Sequence, residues 1–105
     1  MMRNKINPSA LTIEKMHSGR SCLNLTSSVN WENFPEYAEF ILRLLGGIVI
    51  SQSEGADVRI REALIENEHF FLAFDDFPIM ITLESKTLRG DKCISVFNTL
   101  LIEKS

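Results

Sequence analysis

Apolar and polar residues alternate in two short segments near the start of the chain, residues 11–16 (LTIEKM) and 21–26 (SCLNLT). Such alternation places one kind of side chain on each face of an extended strand, so both segments are predicted to be β-strands. The residues between them, HSGR at 17–20, have the polar and glycine-containing composition of a turn. The pattern therefore predicts a β-hairpin.

The pattern changes to a helical period over residues 30–47. Apolar side chains recur at three- and four-residue spacing, and we expect this stripe to face the core: Phe34, Tyr37, Ala38, Ile41, Leu44 and Leu45. Asn33, followed three residues later by Glu36, is typical of a helix start. Pro35 is tolerated in the first turn because its missing N–H would have no partner there. Gly46 suits the left-handed residue that ends a helix.

Four further segments have the composition of strands: residues 47–53, 58–65, 69–74 and 79–84. In the second of them, Val58, Ile60 and Leu64 share one face. Arg59 and Arg61 occupy the opposite face. We expect the apolar face to be buried and the two arginines to lie in solvent, paired with Glu residues of a neighbouring strand.

A second helical stripe of apolar residues lies near the end of the chain: Cys93, Ile94, Phe97, Leu100 and Leu101. Asp91 is placed to cap this helix, although the CISV sequence at 93–96 leaves a strand possible. The predicted order is ββ-α-ββββ-α in a single domain, residues 1–105, with residues 1–10 frayed. Short connections between strands favour antiparallel pairing. We therefore expect an α+β fold with an antiparallel sheet of five to six strands and two helices on one face.

Composition places the chain among ordinary globular proteins, with 45% hydrophobic and 24% charged residues in a length of 105. Its apolar runs are far shorter than the roughly 20 residues of a membrane span. Its first 15 residues lack the apolar stretch of a secretory signal. We therefore expect a cytoplasmic protein that does not act at a membrane.

The net charge of −3 conceals an uneven distribution along the chain. Residues 1–20 carry four basic residues and one acid, whereas residues 54–76 carry seven acids and two arginines. Such an acidic block repels nucleic acid and attracts basic surfaces, so the expected partner is a protein. The side chains expected to bind this partner are Glu54, Asp57, Glu66, Glu68, Asp75 and Asp76.

Asp75 and Asp76 follow the apolar sequence FFLAF and precede Phe77-Pro78. Adjacent residues on an extended strand point to opposite faces, so the two carboxylates converge only if a turn intervenes. Asp before Phe-Pro also suits a turn. Three interpretations stay open at this point: a solvated turn, a docking site for a basic partner, and a catalytic or metal-binding pair.

The remaining residues contain no recognisable catalytic or metal-binding motif. Cys22 and Cys93 lack the spacing of a metal site and are expected to be reduced, buried thiols. His17 and His69 have no suitably spaced His or Cys that would build a zinc site. No serine lies in a nucleophile motif. We therefore expect no catalytic residues, no metal, no cofactor and no enzymatic activity.

Residues 29–85 contain a motif made of residues that shape the fold rather than carry chemistry. It begins at the helix start with Trp31, Phe34, Pro35, Tyr37 and Ala38. It continues with the turn Ala56-Asp57, the apolar strand FFLAF, and Leu83-Glu84 at the end of the last strand. In this pattern the chain resembles a small gammaproteobacterial family of uncharacterised single-domain proteins. The resemblance transfers no catalytic residues.

Small acidic proteins of this kind are also similar to the immunity proteins encoded beside contact-dependent growth inhibition toxins. This resemblance implies a cytoplasmic protein, taken to be a monomer, that binds its cognate toxin domain, a basic nuclease, and blocks the active site. The alternative is a housekeeping domain with a small-molecule or enzymatic role. That alternative predicts a concave pocket in which Asp57, His69, Asp75 and Asp76 meet.

Overall fold

The computed structural model describes residues 4–105, which form one six-stranded sheet covered on one face by two helices. The strands are β1 (Thr12–Lys15), β2 (Ser21–Thr26), β3 (Ile48–Glu54), β4 (Val58–Ile65), β5 (Glu68–Asp76) and β6 (Ile79–Ser85). The helices are α1 (Phe34–Leu45) and α2 (Leu88–Glu103). The strand order is β1-β2-β6-β5-β4-β3, with every neighbouring pair antiparallel. The predicted α+β fold and its order are confirmed, and residues 93–101 are helical.

The expected frayed start covers residues 1–10, of which residues 1–3 lie outside the described residues. In the described part, a short 3-10 turn forms at Pro8–Ala10. Asn7 caps this turn, since its Oδ1 accepts a hydrogen bond from the Ser9 N–H at 3.3 Å. Ile6 and Leu11 are partly buried against the core. The chain therefore contacts the core before β1 begins.

Side-chain alternation along the central strands builds the core. On β5, Phe70, Leu72 and Phe74 all face the helices and are fully buried. In the register of β5 with β6, Leu72 lies opposite Leu83 and Phe74 lies opposite Ile81. These cross-strand pairs form a continuous apolar layer on which the helices pack. Burial of each such side chain stabilises the fold by about 1.5–3 kcal/mol.

The apolar face of helix α1 packs on this layer. Phe34, Ile41 and Leu45 of the predicted stripe are buried. Leu44, which belongs to the same predicted stripe, is only partly buried at its margin. The buried face is therefore centred near Ile41, and Leu44, three residues later, lies at its edge.

Two glycines connect α1 to β3. Gly46 ends the helix in the left-handed conformation, with φ of 74°, as predicted. Gly47 approaches β4 so closely that a Cβ there would lie 2.7 Å from Cγ1 of Ile65. A larger residue at position 47 would therefore push the edge strand away from its neighbour.

Strand β4 presents to the core the face opposite to the predicted one. Ala63 and Ile65 are fully buried. Val58, Ile60 and Leu64, predicted as the buried face, are half-buried on the side of the sheet away from the helices. The prediction was wrong because it assigned the face with the larger apolar side chains to the core. Helix α1 instead packs directly on the other face of β4, where the small Ala63 leaves room for it.

Arg59 and Arg61 consequently lie on the helix-covered face rather than in solvent. Their guanidinium groups stack on the rings of Trp31 and Phe34, at 4.9 and 5.3 Å from the ring centroids. A guanidinium over an aromatic face gains a cation–π attraction while its aliphatic stem packs on apolar surface. The two rings at the start of α1 therefore make arginine compatible with this face.

Helix α2 begins at Leu88, earlier than predicted. Thr87 caps it by accepting a hydrogen bond from the Gly90 N–H at 2.8 Å. Asp91, the predicted cap, lies inside the first turn, and its Oδ1 accepts a hydrogen bond from the Ser21 N–H at 2.9 Å. Asp91 thus ties α2 to β2 instead of capping it. Neither helix in the described part of the chain has the length and apolar character needed to cross a membrane.

Replacing Ile41 by Ala is expected to lower the free energy of unfolding by about 2–5 kcal/mol, because Ile41 is fully buried between helix and sheet. The matched substitution Leu44→Ala on the same helix is expected to cost clearly less, since Leu44 is only partly buried. Urea melts of the two variants provide the comparison. A larger loss for Leu44→Ala would mean that α1 packs on the sheet through a different face.

The Asp91 carboxylate makes the stability of the fold depend on pH. The hydrogen bond from the Ser21 N–H, with the Arg20 guanidinium 3.4 Å away, holds the pKa of the Asp91 carboxyl below its ordinary value. The resulting stabilisation is present above the unfolded-state pKa of about 3.9 and is lost as pH falls through the lower folded-state pKa. Asp91→Asn is therefore expected to lower the Tm by a few degrees at neutral pH and to have little effect at about pH 2.

Thermal melts at both pH values check this expectation. The control is Glu103→Gln, an exposed position on the same helix, where no Tm change is expected at either pH. An equal loss of Tm for Asp91→Asn at both pH values would show that the charge of the carboxylate is not what stabilises the fold.

Candidate protein-docking surface

The turns β3–β4 and β5–β6 lie side by side at one end of the sheet. Val58 of β4 lies opposite Asp75 of β5, and the Asp76 N–H donates a hydrogen bond to the Asp57 carbonyl at 2.9 Å. This backbone contact fixes the two turns relative to each other. The side chains of Asp57, Asp75 and Asp76 are all exposed. We call the set formed by Glu54, Asp57, Asp75 and Asp76 the acidic end.

Phe77 projects from the tip of the β5–β6 turn. Only Phe77 and Pro78 connect the two strands, and the peptide bond between them is cis. The Phe77 residue is 93% exposed, so a whole aromatic ring lies in solvent beside the exposed carboxylates. Large aromatic residues are usually mostly buried. The sequence marks Phe77 only through the proline that follows it, which signals the turn but not the exposure of the ring.

Asp75 and Asp76 both belong to the extended end of β5. Their side chains therefore point to opposite faces of the sheet and do not converge as a general acid and base would have to. Among residues 4–105, no group of three or more His, Cys, Asp or Glu is placed to hold a metal ion. This arrangement supplies negative charge on both sides of a hairpin tip.

Glu54 is paired within the protein. Its Oε2 lies 2.6 Å from Nη2 and 2.8 Å from Nε of Arg59. Nη1 of the same arginine donates to the Trp31 carbonyl at 2.7 Å, and Trp31 packs edge-on against Phe74 at 6.0 Å between ring centroids. Glu54 thus braces the β3–β4 turn against the core. The three aspartates of the acidic end carry the charge that no basic side chain of residues 4–105 pairs with.

Glu66 and Glu68 lie at the opposite end of β5 from the acidic end. Glu66 and Asn67 form the β4–β5 turn, both with positive φ (56° and 64°), as a type I′ turn requires. The Glu68 side chain is only 13% exposed, and it accepts a hydrogen bond from Thr87 Oγ1 at 2.6 Å. At about 3.3 Å per residue, the two ends of β5 are roughly 26 Å apart. The structure therefore brings together four of the six predicted carboxylates.

The four residues of the alternative small-molecule role do not meet in one pocket. Asp57, Asp75 and Asp76 lie at the acidic end. His69 lies six residues before Asp75 on β5, roughly 20 Å along the strand. Its Nδ1 is 3.0 Å from Oε2 of Glu62. His69 is therefore separated from the aspartates by most of the length of the sheet.

The fold and this surface define a class, a small α+β protein whose antiparallel sheet is open on one face and acidic at one end. A family model described as "Protein of unknown function (DUF3630)" matches residues 11–101, and the chain belongs to this family. The match includes all six strands and most of α2, so it extends beyond the pattern at residues 29–85. No curated protein and no solved structure matches the chain.

Proposed function

We propose that this protein is a binding protein without catalytic activity, whose acidic end docks onto a basic surface of a partner protein. In its specific form, the proposal is a monomeric cytoplasmic immunity protein of a contact-dependent growth inhibition system. It binds the cognate toxin domain, a basic nuclease, and blocks its active site. The geometry of the acidic end supports the docking function, and the sequence resemblance supports the immunity role.

The observation that carries the proposal is the exposed Phe77 ring beside the carboxylates of Asp57, Asp75 and Asp76. Protein interfaces combine aromatic anchors, which become buried on binding, with a polar and charged rim. Both components occur here on one pair of adjoining turns. A partner groove lined with Lys and Arg would complement this surface in charge.

The surface is ordered before a partner arrives. The Asp76–Asp57 backbone hydrogen bond joins the two turns. The contact between Glu54 and Arg59 holds the β3–β4 turn against the core. Because the backbone of the two turns is already held in place, binding costs little loop entropy.

Such a surface suits the inhibition of a nuclease. A nuclease holds the phosphates of its substrate with basic side chains, and carboxylates can occupy the same side chains. Attraction between the net charge of −3 and a basic partner also speeds their association. The acidic end would then compete directly with the nucleic-acid substrate.

Neutralising the acidic end with Asp75→Asn and Asp76→Asn is expected to slow association with the cognate toxin domain about tenfold. The salt dependence of the association rate should also become weaker. Both side chains are exposed, so the fold is expected to be unchanged. Surface plasmon resonance at two salt concentrations measures both rates.

The charge-matched control for this pair is Glu66→Gln with Glu103→Gln, which removes two exposed carboxylates outside the acidic end. This control is expected to change the association rate far less. If the two double variants slow association equally, the partner responds only to net charge, and the acidic end is not the docking site.

Phe77→Ser is expected to raise the dissociation rate about 30-fold, the effect of losing an aromatic anchor worth about 2 kcal/mol. The control is Ile102→Ser, an exposed apolar position on α2, which should leave the dissociation rate unchanged. An unchanged rate for Phe77→Ser would show that the ring stays outside the interface.

The immunity role is tested separately by co-expression. Cells that produce a candidate cognate toxin domain are expected to grow when this protein is also produced, and the Phe77→Ser variant is expected to rescue them less. Absence of rescue by the wild-type protein contradicts the immunity role. Tight binding of a different basic protein at Phe77 would, in that case, still support the docking function.

A further inference from the structure

A cleft of about 430 Å³ lies between α1 and the edge strand β3. Helix α1 contributes Ala38 and Leu42 to its lining, and β3 contributes Val49 and Gln52. Arg61 of β4 also lines the cleft, whereas no residue of the acidic end does. The volume falls within the range of about 300–1,000 Å³ that is typical of small-molecule sites.

Arg61 has no anionic partner in this cleft. The residue is only 6% exposed, and its buried Nη1 has no hydrogen-bond partner among residues 4–105. Burial lowers the pKa of Arg61, and the nearby Arg59 lowers it further, while the carboxylate of Glu54 opposes them; the guanidinium stays protonated at neutral pH. The Phe34 ring, 5.3 Å away, offsets part of the cost of burying the charge. Buried arginines are normally paired with an anion.

The neighbouring arginine shows what Arg61 lacks. Arg59, on the same face of β4, lies 2.6 Å from a carboxylate oxygen of Glu54 and donates to the Trp31 carbonyl at 2.7 Å. In the β3–β4 register, Glu54 lies opposite Arg59, but the neutral Gln52 lies opposite Arg61. The protein therefore neutralises the first arginine and leaves the second available to a ligand.

The charged groups that line the cleft leave one positive charge uncompensated. Glu39 and Arg43 form an ion pair at 2.6 Å and cancel each other. Arg61 then has no anionic partner among the residues that line the cleft, and the carboxylate of Glu54 acts on it only through space. One bound negative charge would neutralise the cleft, whereas a doubly charged phosphate would leave it negative and close to Glu39.

We infer that the cleft binds a small monocarboxylate with an apolar body. The carboxylate accepts hydrogen bonds from the Arg61 guanidinium, whose planar fork matches its two oxygens, and from the Gln52 amide. The apolar body lies against Ala38, Leu42 and Val49. This site goes beyond the docking function and shares no residue with the acidic end, so either proposal can fail without the other.

The test is an NMR titration of the isotope-labelled full chain with acetate, hexanoate and phosphate, following backbone N–H and arginine Nε–H signals. Hexanoate is expected to shift the signals of Ala38, Leu42 and Arg61 saturably, with a Kd of about 1 mM or lower. Acetate, which lacks the apolar body, is expected to bind about tenfold more weakly or worse. Phosphate is expected to give no saturable shift.

Two results of this titration would overturn the inference. If phosphate binds as tightly as hexanoate, the cleft is a general anion site and not a carboxylate site. If hexanoate gives no saturable shift at about 10 mM, tenfold above a Kd of about 1 mM, the cleft does not bind this class of ligand.

Arg61→Met removes the charge but keeps the apolar stem, and it is expected to weaken hexanoate binding at least about tenfold through the lost charge-assisted hydrogen bonds. Arg89→Gln is the matched control, because it removes the same charge from a side chain on α2 that is 85% exposed, and it should not change the affinity. Unchanged affinity in Arg61→Met overturns the proposal.

If Arg61→Met does not fold, Arg61→Lys replaces it and is also expected to bind more weakly, since an ammonium lacks the bidentate fork.

Val49→Ser tests the placement of the apolar body. Val49 is 43% exposed, so the variant is expected to fold. The preference for hexanoate over acetate should shrink, while the affinity for acetate stays the same. An undiminished preference would show that the apolar body does not lie against β3 and would overturn this part of the site.

Discussion

Strand β5 holds both helices to the sheet, because the buried side chains of one face meet aromatic rings from α1 and α2. The ring of Phe70 lies 5.4 Å from that of Phe97 on α2, and the ring of Phe74 lies 5.7 Å from that of Phe34 on α1. Leu72 fills the space between them and is fully buried. Such aromatic pairs contribute about 0.5–1.5 kcal/mol each beyond the area that they bury. With the middle of β5 fixed in this way, the turns at its two ends are fixed as well, and the acidic end becomes a rigid surface.

Two helices are too few to cover six strands. Neighbouring strands lie about 4.8 Å apart, so six strands span about 24 Å, whereas two packed helices about 10 Å wide cover about 20 Å. The shortfall falls on the edges of the sheet, where all seven residues of β3 and all four of β1 are exposed. The cleft that contains the unpaired arginine lies at one of these edges, between α1 and β3. The proposed ligand site is therefore a consequence of incomplete helix coverage.

The strongly periodic elements could be predicted from the sequence, because α1 and the central strands carry their pattern within one segment. The buried face of β4 could not be predicted, because both faces contain apolar residues and the choice depends on how α1 packs over Ala63, a contact between distant parts of the chain. Helix α2 begins at Leu88 after its local cap Thr87, whereas the role of Asp91 depends on its bond to Ser21, a contact between distant parts of the chain. The acidic residues were evident, but their division between the two ends of β5 depends on strand boundaries, which a pattern locates only approximately.

A β-bulge in β3 decides which arginine is neutralised. The register with β4 shifts by one residue near the start of the strand, and beyond the shift Glu54 lies opposite Arg59 while Gln52 lies opposite Arg61. If the pairing of Ile48 and Val49 continued without this shift, Glu54 would lie opposite Val58, and its carboxylate would point to the other face of the sheet, away from both arginines. The bulge therefore creates the contact that braces the acidic end, and it also leaves Arg61 facing a neutral amide in the cleft. One backbone irregularity at the edge of the sheet thus affects both the support of the acidic end and the charge of the cleft.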